Sequence, residues 1–338
     1  MNLNVLWFLL LGVLLAGYAI LDGFDLGVGI LHLGARKDED RRVLLNAIGP
    51  VWDGNEVWLL TFGGALFAAF PHAYATVFSG LYTALMLVLL MLILRAVAIE
   101  FRSKRESPRW RNLWDTVFCV GSLLASLLFG VAVGNAMRGF PVRPDMELQW
   151  RLIRLLHPYA VLTGLFTVAL FALHGALYLG MKTDGSLQQQ VRRWAGRAYL
   201  VFLVLYGATT VYTLAGTRLA LRNFGAHPWL WVLPVVCVLA ILNIGRALRA
   251  GRWGQAFVSS SLTLLGLVGL LGAALFPELV HSSLNPEWSL TIYNAASSAR
   301  TLGIMAVIAL SGMPLVLIYT CVIYRVFRGK VEVSKFSY

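Results

Sequence analysis

The chain has 338 residues, of which 59% are hydrophobic and 13% charged. An ordinary soluble domain carries about a quarter charged residues, so that class is excluded and a membrane protein is expected. The formal net charge of +12, from 28 basic and 16 acidic residues, is dispersed over short segments between apolar runs, which fits membrane topology rather than a nucleic-acid partner.

Nine apolar runs stand between charged or Pro-rich breaks, at about 5–33, 47–70, 74–101, 113–137, 155–181, 195–218, 228–248, 255–276 and 300–326. Runs near 20 residues match helices that cross a bilayer at about 1.5 Å per residue, not the short alternating strands of a barrel. The first run lacks a basic leader and continues past Ala16, so it reads as a spanning helix rather than a cleaved signal peptide. The segments after the first, third, fifth and seventh runs, with their flanking turns and the tail, carry 20 basic residues; the opposite side carries Arg138, Arg143, Arg151, Arg154, Arg218, Arg222 and Arg300. Basic residues mark cytoplasmic loops, which puts the N-terminus outside and the C-terminus in the cytoplasm. Arg102, Lys104, Arg105, Arg109 and Arg111 would lie among anionic lipid headgroups.

Leu31–Asp38, at the end of the first run, parallels Leu177–Asp184 at the end of the fifth. A shift of four helices preserves orientation, so the copies are parallel repeats. The expected fold is an all-α polytopic membrane protein of nine transmembrane helices. A four-helix bundle over 1–140 is followed by a second over 141–277, then an outer loop, a ninth helix and a cytoplasmic tail over 278–338.

The first run carries Asp22 and Asp25 one turn apart, and the second opens with Trp52-Asp53-Gly54-Asn55-Glu56-Val57-Trp58. A charged side chain at bilayer depth costs about 2.5–3.5 kcal/mol on insertion scales, so intramembrane acids face a protein partner or a water file. On one helix Trp52, Asp53 and Glu56 fall within about 100° of arc. Counted from the hairpin near Glu39, Asp25 matches Asp53 in depth and Asp22 matches Glu56, roughly 16 Å from the basic surface for the first pair. Four acids at one level cannot all be ionised cheaply. Two readings follow. Either Arg95 neutralises Asp53 or Glu56 in a structural polar core, or the acids load cytoplasmic protons and pass them to a neighbouring site.

The other chemistry-bearing residues point away from catalysis by this chain alone. Cys119, Cys237 and Cys321 are isolated in apolar runs. His72, His157, His227 and His281 fall at outer ends or loops, His32 lies near an inner end, and only His174 is well inside a run. No facing histidine pair for a b-type haem is evident, nor any P-loop, dinucleotide fingerprint or nucleophile elbow. No catalytic, metal-binding or cofactor-binding residue is assigned. The outer segment 277–298, with Pro286, Trp288 and Tyr293, reads as an interfacial cap.

Gly49–Leu59, Leu21–Gly29 and Ser289–Ser298 together resemble subunit II of cytochrome bd quinol oxidases, over essentially the whole chain, and the short length is similar to the cyanide-insensitive branch. The resemblance implies pairing with a subunit I that carries two b haems and haem d, oxidises quinol and reduces dioxygen to water, while subunit II binds no haem. It also implies that Asp53, beside Trp52, stands at a proton entry route from the cytoplasm. An oxygen path and a bound quinone belong to this subunit in some relatives. A small single-helix third subunit is a further expected partner. Glu56, Asp22 and Asp25 lie in matching motifs, and their roles rest on the physical reading above. The alternatives are a proton-coupled secondary transporter, which would also combine two bundles with intramembrane acids, and a purely structural assembly subunit.

Overall fold

The computed structural model describes residues 2–148 and 152–331; Arg151 and Lys335, both counted in the charge asymmetry, lie outside the described residues. Among the described residues are eleven α-helices: α1 Leu3–Leu31, α2 Asp38–Ile48, α3 Trp52–Ala69, α4 Pro71–Gly80, α5 Tyr82–Phe101, α6 Pro108–Arg138, α7 Pro158–Lys182, α8 Gly185–Gly216, α9 Val232–Arg249, α10 Trp253–Leu275 and α11 Ala299–Val326. Eight of these, α1 and α5 to α11, are long and apolar enough to cross a membrane.

The difference from nine apolar runs lies in the second and third. The second run falls on α3, whose 18 residues rise about 27 Å and open with Asp53, Asn55 and Glu56, which dilute its apolarity. The third run is divided at Leu81 into α4 and α5. The basic connection after α1 is not plain loop, since it folds into α2. That helix carries Asp38, Glu39 and Asp40 in its first turn and buries Leu44, Leu45, Ala47 and Ile48. Acids there complement the positive end of the helix dipole.

α1 is a central strut, packed against α3, α6, α7 and α10. Its approach to α7 is backbone to backbone. A Cβ built on Gly27 would lie 1.9 Å from the Phe171 carbonyl oxygen, and one on Gly175 would lie 2.4 Å from the Gly27 carbonyl carbon. Small residues at such a crossing let van der Waals packing and carbonyl dipoles meet where lipid offers no hydrophobic drive.

The segment between α10 and α11 is not helical. β1 Glu278–Val280 pairs antiparallel with β2 Leu290–Thr291, an exception to the all-α expectation. Ser297 then donates its N–H to the Ala69 carbonyl (2.9 Å) and its hydroxyl to the Ala68 carbonyl (2.7 Å). These satisfy carbonyls that the end of α3 leaves unpaired. Asn223 and Arg222 do the same for α10, donating to Ala273, Leu275 and Phe276. Arg222 also pairs with Glu278 at 2.7 Å, whose other oxygen meets His281 Nδ1 at 2.7 Å.

Candidate functional site

Asp22 and Asp25 face inward from α1 and are fully buried. The guanidinium of Arg95, fully buried on α5, donates to both oxygens of Asp22, Nη2 to Oδ1 at 2.6 Å and Nη1 to Oδ2 at 3.0 Å. The same Nη2 stands 2.8 Å from Oε1 of Glu56, whose side chain is 26% exposed. The second contact is an ion pair without hydrogen-bond directionality. One cation therefore ties α1, α3 and α5 together and is shared by two carboxylates. The fork geometry of guanidinium suits this bidentate task in a way a lysine ammonium would not.

Among the described residues Asp25 forms no salt bridge of its own. Its Oδ2 accepts from Asn55 Nδ2 at 2.7 Å, and that amide nitrogen also donates to the Leu21 carbonyl at 3.2 Å. The Asn55 oxygen accepts from the hydroxyl of Tyr324 on α11 at 2.9 Å. Among the described residues Asp25 Oδ1 is buried without a hydrogen-bond partner, as is the Tyr18 hydroxyl, which lies within electrostatic reach of Asp22 and Arg95.

Depth matching paired Asp22 with Glu56 and Asp25 with Asp53. Asp22 and Glu56 do share Arg95, whereas Asp53 is exposed and Asn55, 3% exposed, stands against Asp25 in its place. Trp52 is buried beside them. Arg95 meets Asp22 and Glu56 rather than Asp53. The helical turn explains the arrangement. At 100° per residue Asn55 lies between Trp52 and Trp58 on the buried side of α3, Glu56 falls on its rim, and Asp53 falls with Val57 and Leu60 on the exposed side. Asn55, Tyr324 and Tyr18 are site residues that sequence reasoning did not assign.

A second ionic network lies at the Arg-rich end. Asp115, 1% exposed on α6, accepts from Arg102 Nε at 2.5 Å and Arg41 Nη1 at 2.9 Å, and stands 2.6 Å from His32 Nε2. Asp38 is held by Arg102 at 2.6 Å and Arg111 at 2.8 Å. The sequence placed Arg102 and Arg111 among headgroup-facing cations. Both are instead engaged by acids of the chain, and Lys104, Arg105 and Arg109 remain exposed. This network ties together the neighbouring ends of α1, α2, α5 and α6.

His174 is fully buried, with Nδ1 2.6 Å from Ser260 Oγ and Nε2 2.9 Å from the Ile20 carbonyl. Both ring nitrogens are thus engaged in joining α7, α10 and α1. Among the described residues no group of three or more His, Cys, Asp or Glu side chains is arranged to hold a metal ion.

Comparison with known proteins gives this geometry a context. The chain is 40% identical to cytochrome bd-I ubiquinol oxidase subunit 2 of Escherichia coli K12, over 97% of this chain and 95% of that one. It is 37% identical to cytochrome bd ubiquinol oxidase subunit 2 of Bacillus subtilis 168, over 98% and 97%. Its fold matches a chain in the structure of bd oxidase from Geobacillus thermodenitrificans with a TM-score of 0.79 at 20% identity, covering 97% and 99%. The family model for cytochrome bd terminal oxidase subunit II matches residues 3–327, and the chain belongs to that family.

Proposed function

We propose that this chain is the haem-free subunit of a bacterial quinol:dioxygen oxidoreductase, which supports a haem-bearing subunit I and passes cytoplasmic protons toward it through the acid cluster. The observation that carries the proton-supply reading is the unequal charge balance at one level of the membrane. Arg95 is shared by Asp22 and Glu56, while Asp25 is buried against a neutral amide, with one oxygen unpartnered among the described residues. A carboxyl so placed is the one best able to take up and release a proton without breaking an ion pair. Glu56 is part-exposed and Asp53 exposed, so the cluster is reached from the surface of α3 through Asp53, then Glu56, then the buried pair on α1. In the assembled oxidase the exposed face of α3, with Val57, Leu60 and Phe67, is covered by partner or lipid.

The haems, two of type b and one of type d, belong to subunit I in this reading, and quinol is oxidised there. A small single-helix subunit, membrane lipids and a bound quinone are further partners. α3 counts as the ninth spanning helix, short and polar at one end. The N-terminus lies outside and the C-terminus in the cytoplasm. The bundles over 1–140 and 141–277 correspond to α1, α3, α5 and α6, and to α7 to α10, joined where α1 and α6 pack against α7. A proton-coupled transporter is the less favoured reading, because the relatives named above are oxidase subunits along nearly their whole length.

The test uses the complex with its native partner. The reduced haem spectrum and quinol-dependent oxygen uptake are measured for Asp53→Asn and Glu56→Gln. The relay reading expects intact haems with reduced turnover. Turnover at the unsubstituted rate in both variants rejects proton supply by this route. Lost haem or a lost partner assigns the acids to assembly.

A further inference from the structure

α11 is held unevenly. Its buried residues, Leu302 and Ala306, lie in its first two turns, and Pro314 interrupts its backbone ladder near the middle. Beyond Pro314 most of its side chains are exposed. At its far end, however, α11 is fastened to α7 by a reciprocal pair of lysines. Lys182, at the end of α7, donates to the Phe327 carbonyl at the end of α11. Lys330 donates to the Thr183 and Gly180 carbonyls at the end of α7. The Val331 N–H donates to the Lys182 carbonyl at 2.9 Å. Each cation thus caps the negative end of the other helix. One turn inward from this clasp the Tyr324 hydroxyl reaches Asn55, and its ring meets Phe24 edge to face at 6.4 Å between centroids.

The polarity of that hydrogen bond is fixed by chemistry. Asn55 Nδ2 is occupied by Asp25 Oδ2 and the Leu21 carbonyl, so the atom facing Tyr324 is the amide oxygen, which can only accept. A flipped amide would set its oxygen against the Asp25 carboxyl and its NH2 against the phenol, losing the donor that Asp25 Oδ2 requires. The acceptors Asp25 Oδ2 and the Leu21 carbonyl select the orientation, and the Tyr324 hydroxyl, by donating to the remaining amide oxygen, anchors the amide in it.

We propose that Tyr324 is a positioning residue for the acid cluster: by donating to Asn55 Oδ1 it fixes the amide that holds Asp25, and so keeps that carboxyl in the geometry from which it exchanges protons. The inference rests on the relay reading given above. The lysine clasp at the ends of α7 and α11 is the device that sets Tyr324 in place, and it makes the last helix a working part of the site rather than a lipid-facing appendage.

The test is made on the whole oxidase complex with Tyr324→Phe, which keeps the ring and its contact with Phe24, alongside Asp25→Asn and Asn55→Ala. In Tyr324→Phe, kcat falls about fivefold, the rate equivalent of about 1 kcal/mol. KM for quinol and for dioxygen is unchanged because the lost interaction is made with neither substrate. The solvent deuterium isotope effect on kcat rises, and haem content and subunit composition are unaltered. The double variant Asn55→Ala with Tyr324→Phe is no slower than Asn55→Ala alone, since Tyr324 acts through that amide. Unchanged kcat and isotope effect in Tyr324→Phe, with Asp25→Asn slow, overturn the role of Tyr324 and leave the relay standing. Asp25→Asn at the unsubstituted rate overturns the relay itself. Loss of haem or of the partner in Tyr324→Phe also overturns the proposal, because the hydroxyl would then be an assembly contact.

Discussion

Replacing Arg95 by Met tests the electrostatic design of the cluster most severely. The substitution keeps an unbranched apolar stem but removes the only guanidinium that meets Asp22 and Glu56 among the described residues. Asp22 and Arg95 are both fully buried, so the loss strands a carboxylate in a low-dielectric interior. Breaking a buried pair by removing one partner costs about 3–5 kcal/mol. The share from Glu56, whose side chain is 26% exposed, is discounted because solvent can hydrate it. The cost lies in the uncompensated charge rather than in lost packing, so Asp22→Asn in the Arg95→Met background restores more than half of it, about 2–3 kcal/mol. Equilibrium unfolding of the purified complex in mixed micelles measures both quantities. A cost of Arg95→Met below about 1 kcal/mol, the level of a surface ion pair, would refute the argument, as would a double variant no more stable than the single one.

Three further outcomes rest on geometry elsewhere. Gly27→Ala puts a Cβ 1.9 Å from the Phe171 carbonyl oxygen, so α1 and α7 must separate, at about 1–3 kcal/mol or more. Gly63→Ala on α3, where a Cβ meets nothing within 4 Å, is tolerated and gains up to about 1 kcal/mol of helix propensity; both are read by thermal unfolding. At the outer sheet, burial alone would raise Glu278, but the hydrogen bonds from His281 and Arg222 outweigh it and hold the carboxyl below its ordinary value of 4.5. A depressed carboxyl contributes stability above its unfolded value and loses it as pH falls through the lower folded one. Hydrogen-exchange protection over 278–291 should therefore fall on acidification below about pH 4.5 in the unsubstituted protein, and Glu278→Gln should start lower and lack that acid limb.

Much of the membrane framework was legible because apolar run length is set by bilayer thickness, a constraint read directly from sequence. The runs at 113–137, 155–181 and 255–276 fall on α6, α7 and α10 within a few residues. α3 was harder, since its polar opening makes it a spanning candidate only if those residues have partners, and the partners come from α1, α5 and α11. The meeting of Asp22, Glu56 and Arg95 could be approached by counting residues from a hairpin, because antiparallel neighbours share depth. Asn55 was missed for a specific reason. Charge singles out Asp53 and Glu56, whereas the helical turn puts the uncharged Asn55 amide on the buried side and Asp53 on the exposed side. Tyr324 carries no local signal at all. It stands 269 residues from Asn55, and it is brought there by the packing of α11 on α1 together with the clasp between the ends of α7 and α11. The small outer sheet was likewise hidden, its strands being three and two residues long, too short for an alternating pattern to register.

In the proposed function this chain delivers protons to a partner's oxygen chemistry. Its most direct test is time-resolved proton uptake from the cytoplasmic side when dioxygen is admitted to the reduced complex in liposomes, comparing Glu56→Gln with the unsubstituted protein. In Glu56→Gln uptake is expected to slow at least several-fold while the haem spectrum and subunit composition stay the same. Uptake at the unsubstituted rate in a complex with intact haems would contradict it.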